Sequence, residues 1–163
     1  ELLEYMGKYS DNNAMVLLIN SIPTKRIVDI FYDLGLPIPD DSTNGTIDYI
    51  SAKLYSRLFR VLYNCTYLNE EDSVKALSLL SETDFDTGLA KNIPKDITIT
   101  NKFGERTVYD SSHNVQYREL HDCGIIYTGD NPYTICIMTK GPDFTKLEKI
   151  IQDISTMSYE KMK

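Results

Sequence analysis

No stretch of the 163-residue sequence approaches the roughly 20 consecutive apolar residues that a membrane-crossing helix requires, and no basic segment followed by an apolar core marks a signal peptide. Clusters of Lys and Arg are missing too. With 17 basic against 24 acidic residues and a net charge of −7, the chain has no patch suited to neutralising a phosphate backbone, so nucleic acid is excluded as a partner. The negative balance itself reads as a solvated surface that aids solubility. Histidine is scarce: His113 lies in the polar run from Asp110 to Asn114, a solvated loop, and His121 stands at a strand start. Neither has a second histidine or a cysteine at ligand spacing, so no metal is expected. The 3 cysteines cannot complete a disulfide framework, and Cys123 and Cys136, in apolar strand-like runs, read as buried thiols.

What is present is an apolar fraction of 42%, enough for one compact domain or a large piece of one. Glu1 to Met6 already read as amphipathic helix, so the natural chain is expected to begin earlier. The run Ala14 to Ile19 is apolar all round and predicts a helix buried at the centre of a domain. A second helix is signalled by Ser21 as N-cap, Pro23 in its first turn, Ile27, Ile30, Phe31 and Leu34 on one face, and Gly35 as stop. Leu36 to Tyr49, rich in Pro, Asp, Asn and Gly, reads as a long loop. Ser51 opens a further amphipathic helix carrying Leu54, Leu58, Phe59 and Leu62, and Asn69 caps another whose first turn holds Glu70, Glu71 and Asp72.

After Gly88 the period changes. Ile97 to Thr100 alternates as a strand, and Gly124 to Tyr127 and Tyr133 to Ile137 flank a Gly129-Asp130-Asn131-Pro132 turn as a hairpin. Phe144, Leu147, Ile150, Ile151, Ile154 and Met157 then repeat at helical spacing, giving a terminal helix whose apolar face covers the sheet. Helices first, then an antiparallel meander and a closing helix, is an α+β order. The expectation is a single domain over 1–163, mainly helical in 1–94, with strands and the last helix in 95–163.

Two short motifs stand at telling places: Ser10-Asp11-Asn12 before the buried helix, and Lys102-Phe103-Gly104 at the end of the first strand. Each alone is weak, since Ser, Asp and Asn before a helix serve as caps. Their order, and the 92 positions from 10 to 102 filled by a helical layer, give the pair force. Together they resemble the penicillin-recognising serine enzymes, the class A β-lactamases and D,D-peptidases. Ser10-Asp11-Asn12 is similar to that family's second motif and Lys102-Phe103-Gly104 to its third, usually Lys-Thr-Gly. His121 to Tyr127, Tyr133 to Gly141 and the final helix are similar to the elements that follow.

The resemblance implies a β-lactamase/transpeptidase-like α+β fold and acyl transfer from an amide, on a β-lactam or a cell-wall peptide, outside the cytoplasmic membrane and without a cofactor. It implies that Ser10 relays a proton to the leaving nitrogen, with the Lys102 ammonium close by as the second catalytic group. Asn12, able to donate and accept, would hold a substrate amide. Lys102 would attract the substrate carboxylate, and Gly104, lacking Cβ, would let the substrate lie against the strand edge. Asp11 is expected to cap the helix.

Three departures bear on this. The family's nucleophile belongs to a Ser-x-x-Lys upstream of the second motif, and residues 1–9 hold none, so a segment ahead of Glu1 is expected to supply it and this chain alone to be inactive. Ser158-Tyr159-Glu160-Lys161 fits the pattern in the wrong order and is a chance match. Residues 36–50 lack the glutamate that activates a deacylating water in class A β-lactamases; Asp40, Asp41 and Asp48 are the acids there, and slow deacylation is the consequence. Phe103 and Glu105 replace hydroxyl residues. Arg106 fits two roles, a bidentate contact to a substrate carboxylate or a pair with Glu105. The alternative to an enzyme is a non-catalytic relative using the fold for binding.

Overall fold

The computed structural model describes residues 1–37, 50–129 and 131–163. Five helices come first: α1 (Leu2–Tyr9), α2 (Asn12–Ser21), α3 (Thr24–Asp33), α4 (Ala52–Tyr63) and α5 (Glu70–Ser81). Three strands follow, β1 (Ile99–Tyr109), β2 (Val115–Ile126) and β3 (Tyr133–Gly141), and then α6 (Phe144–Met162). The strands form an antiparallel sheet in the order β1-β2-β3. Most of the turn-rich stretch from Leu36 to Tyr49, with Asp40, Asp41 and Asp48, lies outside the described residues, as does Asp130.

Helix starts follow the capping chemistry of the sequence. Asp11 accepts from the Ala14 N–H at 2.7 Å, Asn69 from Asp72 at 2.8 Å, Ser51 from Leu54 at 3.2 Å and Asp143 from Lys146 at 2.9 Å. α1 and α3 start without a side-chain cap; α3 begins at Thr24 with Pro23 at its N-cap, and Ser21 is the last residue of α2, its hydroxyl turned back to the Leu18 carbonyl.

Alternation along β2 sorts the core into two layers. Cys123 and Ile125 face Phe59 of α4, with Tyr55, Leu77 and Leu80 packed around them. Leu120, on the other face, packs with Leu89, Ile137, Leu147 and Ile151 beneath α6. Each fully buried Leu or Ile here contributes about 1.5–3 kcal/mol of transfer free energy. At one end of the sheet Ile93, Ile126 and Tyr159 close a third cluster.

Four expectations are corrected. Helix α2 is not buried at the centre: Ala14 is its buried residue, while Met15, Val16, Leu17 and Ile19 are exposed, because no described element lies over them. Apolar residues all round a helix show what it can bury, not what covers it. The first two strands are much longer than their apolar cores, so Lys102-Phe103-Gly104 lies inside β1 and His121 inside β2; charged residues on both strands interrupt the period-two pattern while the ladder continues. Cys123 and Cys136 are not free thiols. They face each other across β2 and β3, 4.0 Å apart at Cα, and are joined as a disulfide, leaving Cys65 free. Finally, α6 buries Leu147, Ile151, Ser155 and Tyr159, whereas Ile150, Ile154 and Met157 are exposed.

Candidate active site

The first side chain of the site is placed by a helix end. α1 stops at Ser10, which takes left-handed backbone angles (φ 54°, ψ 34°) and donates its N–H to the Tyr5 carbonyl. Outside glycine that conformation costs roughly 1–2 kcal/mol and persists where its surroundings hold it. Here Asp11, immediately after, is the N-cap of α2, so Ser10 and Asp11 alone join the two helices. The Lys8 carbonyl accepts from the Asp84 N–H at 3.2 Å and the Thr83 hydroxyl at 3.3 Å, which ties this corner to the segment following α5.

Lys102 approaches from β1. Its ammonium donates to Ser10 Oγ at 2.5 Å and to the Phe103 carbonyl at 2.9 Å, and lies 4.6 Å from the Phe103 ring centre. The Phe103 ring stacks on Phe85, with centroids 4.1 Å apart. The Tyr55 hydroxyl, from α4, donates to the Lys102 carbonyl at 3.3 Å. Burial pulls the Lys102 pKa below its ordinary value, and the negative charge of Asp122 works against that pull. Since Ser10 Oγ accepts from the ammonium, its own O–H can donate in another direction. That arrangement is chemically able to pass a proton onward.

Ser10 and Lys102 border a cavity of about 410 Å³ together with Asn12. Asp11 and Tyr55 also reach it, and the rest of its walls is mainly apolar, with Met6, Met15, Leu58, Phe59, Leu62 and Leu80, which lowers the local dielectric around the polar pair. Gly104 and Arg106 do not border this cavity. They line a second one of about 380 Å³ with Tyr117, Glu119 and His121. Arg106 sits opposite Glu119 in the ladder and donates through Nε (3.1 Å) and Nη2 (2.8 Å) to its Oε2, so its described ion pair is with Glu119 and not with Glu105. His121 Nδ1 accepts from the Thr139 N–H at 3.3 Å, a structural contact between strands. A Cβ added to Gly104 would meet no atom of the described residues within 4 Å, and its backbone is not left-handed, so the described part of the fold makes no demand for glycine there.

Of the sequence-derived candidates, then, Ser10, Asn12 and Lys102 converge on one cavity, and Gly104 and Arg106 lie farther along the same strand. Sequence reasoning missed Tyr55, Phe85 and Asp122. A signal for Asp122 existed: it is a carboxylate on the inward face of β2, between Leu120 and Gly124 of the same face.

A family model described as "Beta-lactamase enzyme family" matches residues 1–162. Solved structures share the fold at low identity. A β-lactamase from Chitinophaga pinensis superposes with a TM-score of 0.82 at 17% identity, over 99% of this chain and 64% of that one. A class A β-lactamase representative from Bacteroides cellulosilyticus gives 0.80 at 18%, over 98% and 62%. A mutant of PBP-A, solved as its acyl-enzyme complex with penicillin G, gives 0.77 at 18%, over 98% and 60%. The chain therefore spans about three-fifths of the length of these relatives. Among curated protein sequences none matches it.

Proposed function

The chain belongs to the β-lactamase enzyme family, and from that premise we propose that it carries the second and third motifs of a serine hydrolase or acyltransferase acting on an amide through an acyl-enzyme. The substrate class is a β-lactam or a peptide ending like D-Ala-D-Ala, and the nucleophile comes from a segment of the same protein ahead of Glu1. The observation that carries the reading is the hydrogen bond from Lys102 Nζ to Ser10 Oγ across 92 residues, at the rim of an apolar cavity.

In the acylation step a serine oxygen bonds to the amide carbon and the C–N bond breaks. Ser10 gives its proton to the departing nitrogen and receives the one the nucleophile releases, so it ends the step unchanged. Lys102 holds Ser10 Oγ by donating to it and supplies positive charge for a substrate carboxylate. Asn12, on the same rim, is placed to hold a substrate amide. Gly104 leaves the edge of β1 open to a strand-like substrate, and the lack of a packing reason for glycine among the described residues supports this role. Arg106 is already engaged with Glu119, so a carboxylate-binding role for it requires that pair to be shared or opened. Residues 36–50 contain no glutamate, which favours slow deacylation.

Three features favour completion by an upstream segment. The 410 Å³ cavity has mainly apolar walls, α2 exposes Val16, Leu17 and Ile19, and among the described residues the outer edge of β3 pairs with no strand. The Cys123–Cys136 disulfide favours an oxidising compartment outside the cytoplasm, in keeping with the family's usual location.

The test is intact-mass analysis of the full-length gene product after incubation with a penicillin, with Ser10→Ala and Lys102→Ala alongside. A stable adduct that forms about 100-fold or more slowly in both variants is the expected result. A folded full-length protein that takes up no penicillin would overturn the enzymatic reading in favour of a binding relative.

A further inference from the structure

On the face of the sheet turned toward α6, a carboxylate sits with no exposure to solvent at all. Asp122 Oδ1 accepts from the Asn101 side-chain amide at 2.9 Å and Oδ2 from the Leu89 N–H at 2.9 Å. Its approach depends on a glycine, because a Cβ on Gly88 would come within 2.2 Å of Oδ2. A buried carboxylate is costly even when hydrogen-bonded, and a side chain needed only to fill this volume would not carry charge.

The two hydrogen bonds lead to the two halves of the site. Asn101 immediately precedes Lys102 on β1. Leu89 belongs to the segment in which Phe85 stacks on Phe103 and in which Thr83 and Asp84 bind the Lys8 carbonyl, two residues before Ser10. One carboxylate thus anchors the strand that bears Lys102 and the strap that holds the corner bearing Ser10. Around it, α4 contributes the Tyr55 phenol and β1 the Lys102 ammonium. On α6, Ser155, Gln152 and Glu148 are turned to Leu89 and Thr87 of the strap.

We propose that Asp122 is a positioning residue for the Ser10–Lys102 pair, holding both side chains in register from behind the sheet and setting a carboxylate charge behind Lys102. The charge of Asp122 strengthens proton binding at Lys102 against the opposing effect of burial. The kinetic arm of the test rests on the acyl-transfer reading above; the titration arm does not.

In the full-length gene product, the rate of acylation by a fluorescent penicillin is measured against pH for wild type and Asp122→Asn, together with the ¹³C titration of the Lys102 ε-carbon. Asparagine keeps the shape, removes the charge and turns an NH₂ toward one of the two donors. The alkaline limb of the rate profile and the Lys102 midpoint should both fall by roughly half a pH unit or more. A residue with a purely structural role would lower the rate at every pH and leave both in place, and that outcome overturns the proposal. A wild type that is not acylated sinks the acyl-transfer reading, while the Lys102 midpoint still decides the role of Asp122. Should Asp122→Asn not fold, the wild type decides alone: the Lys102 ε-carbon should show a second inflection where the Asp122 γ-carbon titrates, and a one-step curve overturns the coupling.

Discussion

Gly88 and Gly104 look alike in the sequence, each a glycine between one polar and one apolar residue, yet the space around them differs. A Cβ at position 88 would collide with Asp122, whereas at position 104 it would meet no atom of the described residues within 4 Å. Gly88→Ala should therefore cost about 2–3 kcal/mol of unfolding free energy in urea titration, by forcing a buried carboxylate off its donors. Gly104→Ala should leave stability within about 0.5 kcal/mol and slow acylation. Burial pushes the Asp122 carboxyl up to about 6, against the hydrogen bonds from Leu89 and Asn101 and the charge of Lys102. The folded protein thus holds that proton to higher pH than the unfolded chain, whose carboxyl titrates near 3.8. The stability contribution of this group is full below about pH 4 and is lost as pH rises through 6, by about 3 kcal/mol in all at ~1.4 kcal/mol per unit. Subtracting the pH profile of unfolding free energy of Asp122→Asn from that of the wild type should expose this fall; a flat difference would show the carboxyl to be unshifted.

At the scale of elements, helix starts were readable where a side chain caps them locally, since Asp11, Ser51, Asn69 and Asp143 each bind an N–H three residues on, whereas Ser21, read as a cap, ends α2. Strand lengths were not, because β1 and β2 continue through Arg106, Arg118 and Glu119, where the ladder's hydrogen bonds and not apolar side chains maintain the strand. The disulfide escaped sequence reading for a related reason. Three cysteines gave no pairing, and only the register of β2 against β3 sets Cys123 opposite Cys136. It closes a short loop across a hairpin, a sequence separation of 13, so replacing both cysteines by serine should lower stability by up to about 3 kcal/mol. Thiol titration of the unfolded, unreduced protein should find Cys65 alone reactive. Two reactive thiols more would remove the disulfide from the account.

At the scale of the whole molecule, the 163-residue chain spans about three-fifths of its solved relatives and leaves apolar side chains of α1, α2 and α6 exposed, among them Leu3, Leu17 and Met157. By itself it is expected to bind an apolar fluorescent dye and to take up no penicillin, and the full-length gene product to reverse both. Equal dye binding by the two would mean that nothing upstream covers these faces. The α+β order, the caps at Asp11, Ser51 and Asn69 and the linear order of Ser10-Asp11-Asn12 and Lys102-Phe103-Gly104 were determined by the sequence alone, since they depend on local hydrogen bonding, on period and on position in the chain. The tertiary structure alone decided that Lys102 reaches Ser10, that Arg106 pairs with Glu119, that the two cysteines meet and that Asp122 lies buried behind the site. Those facts depend on strand register and on which faces pack together, and register is set by contacts between residues far apart in the chain.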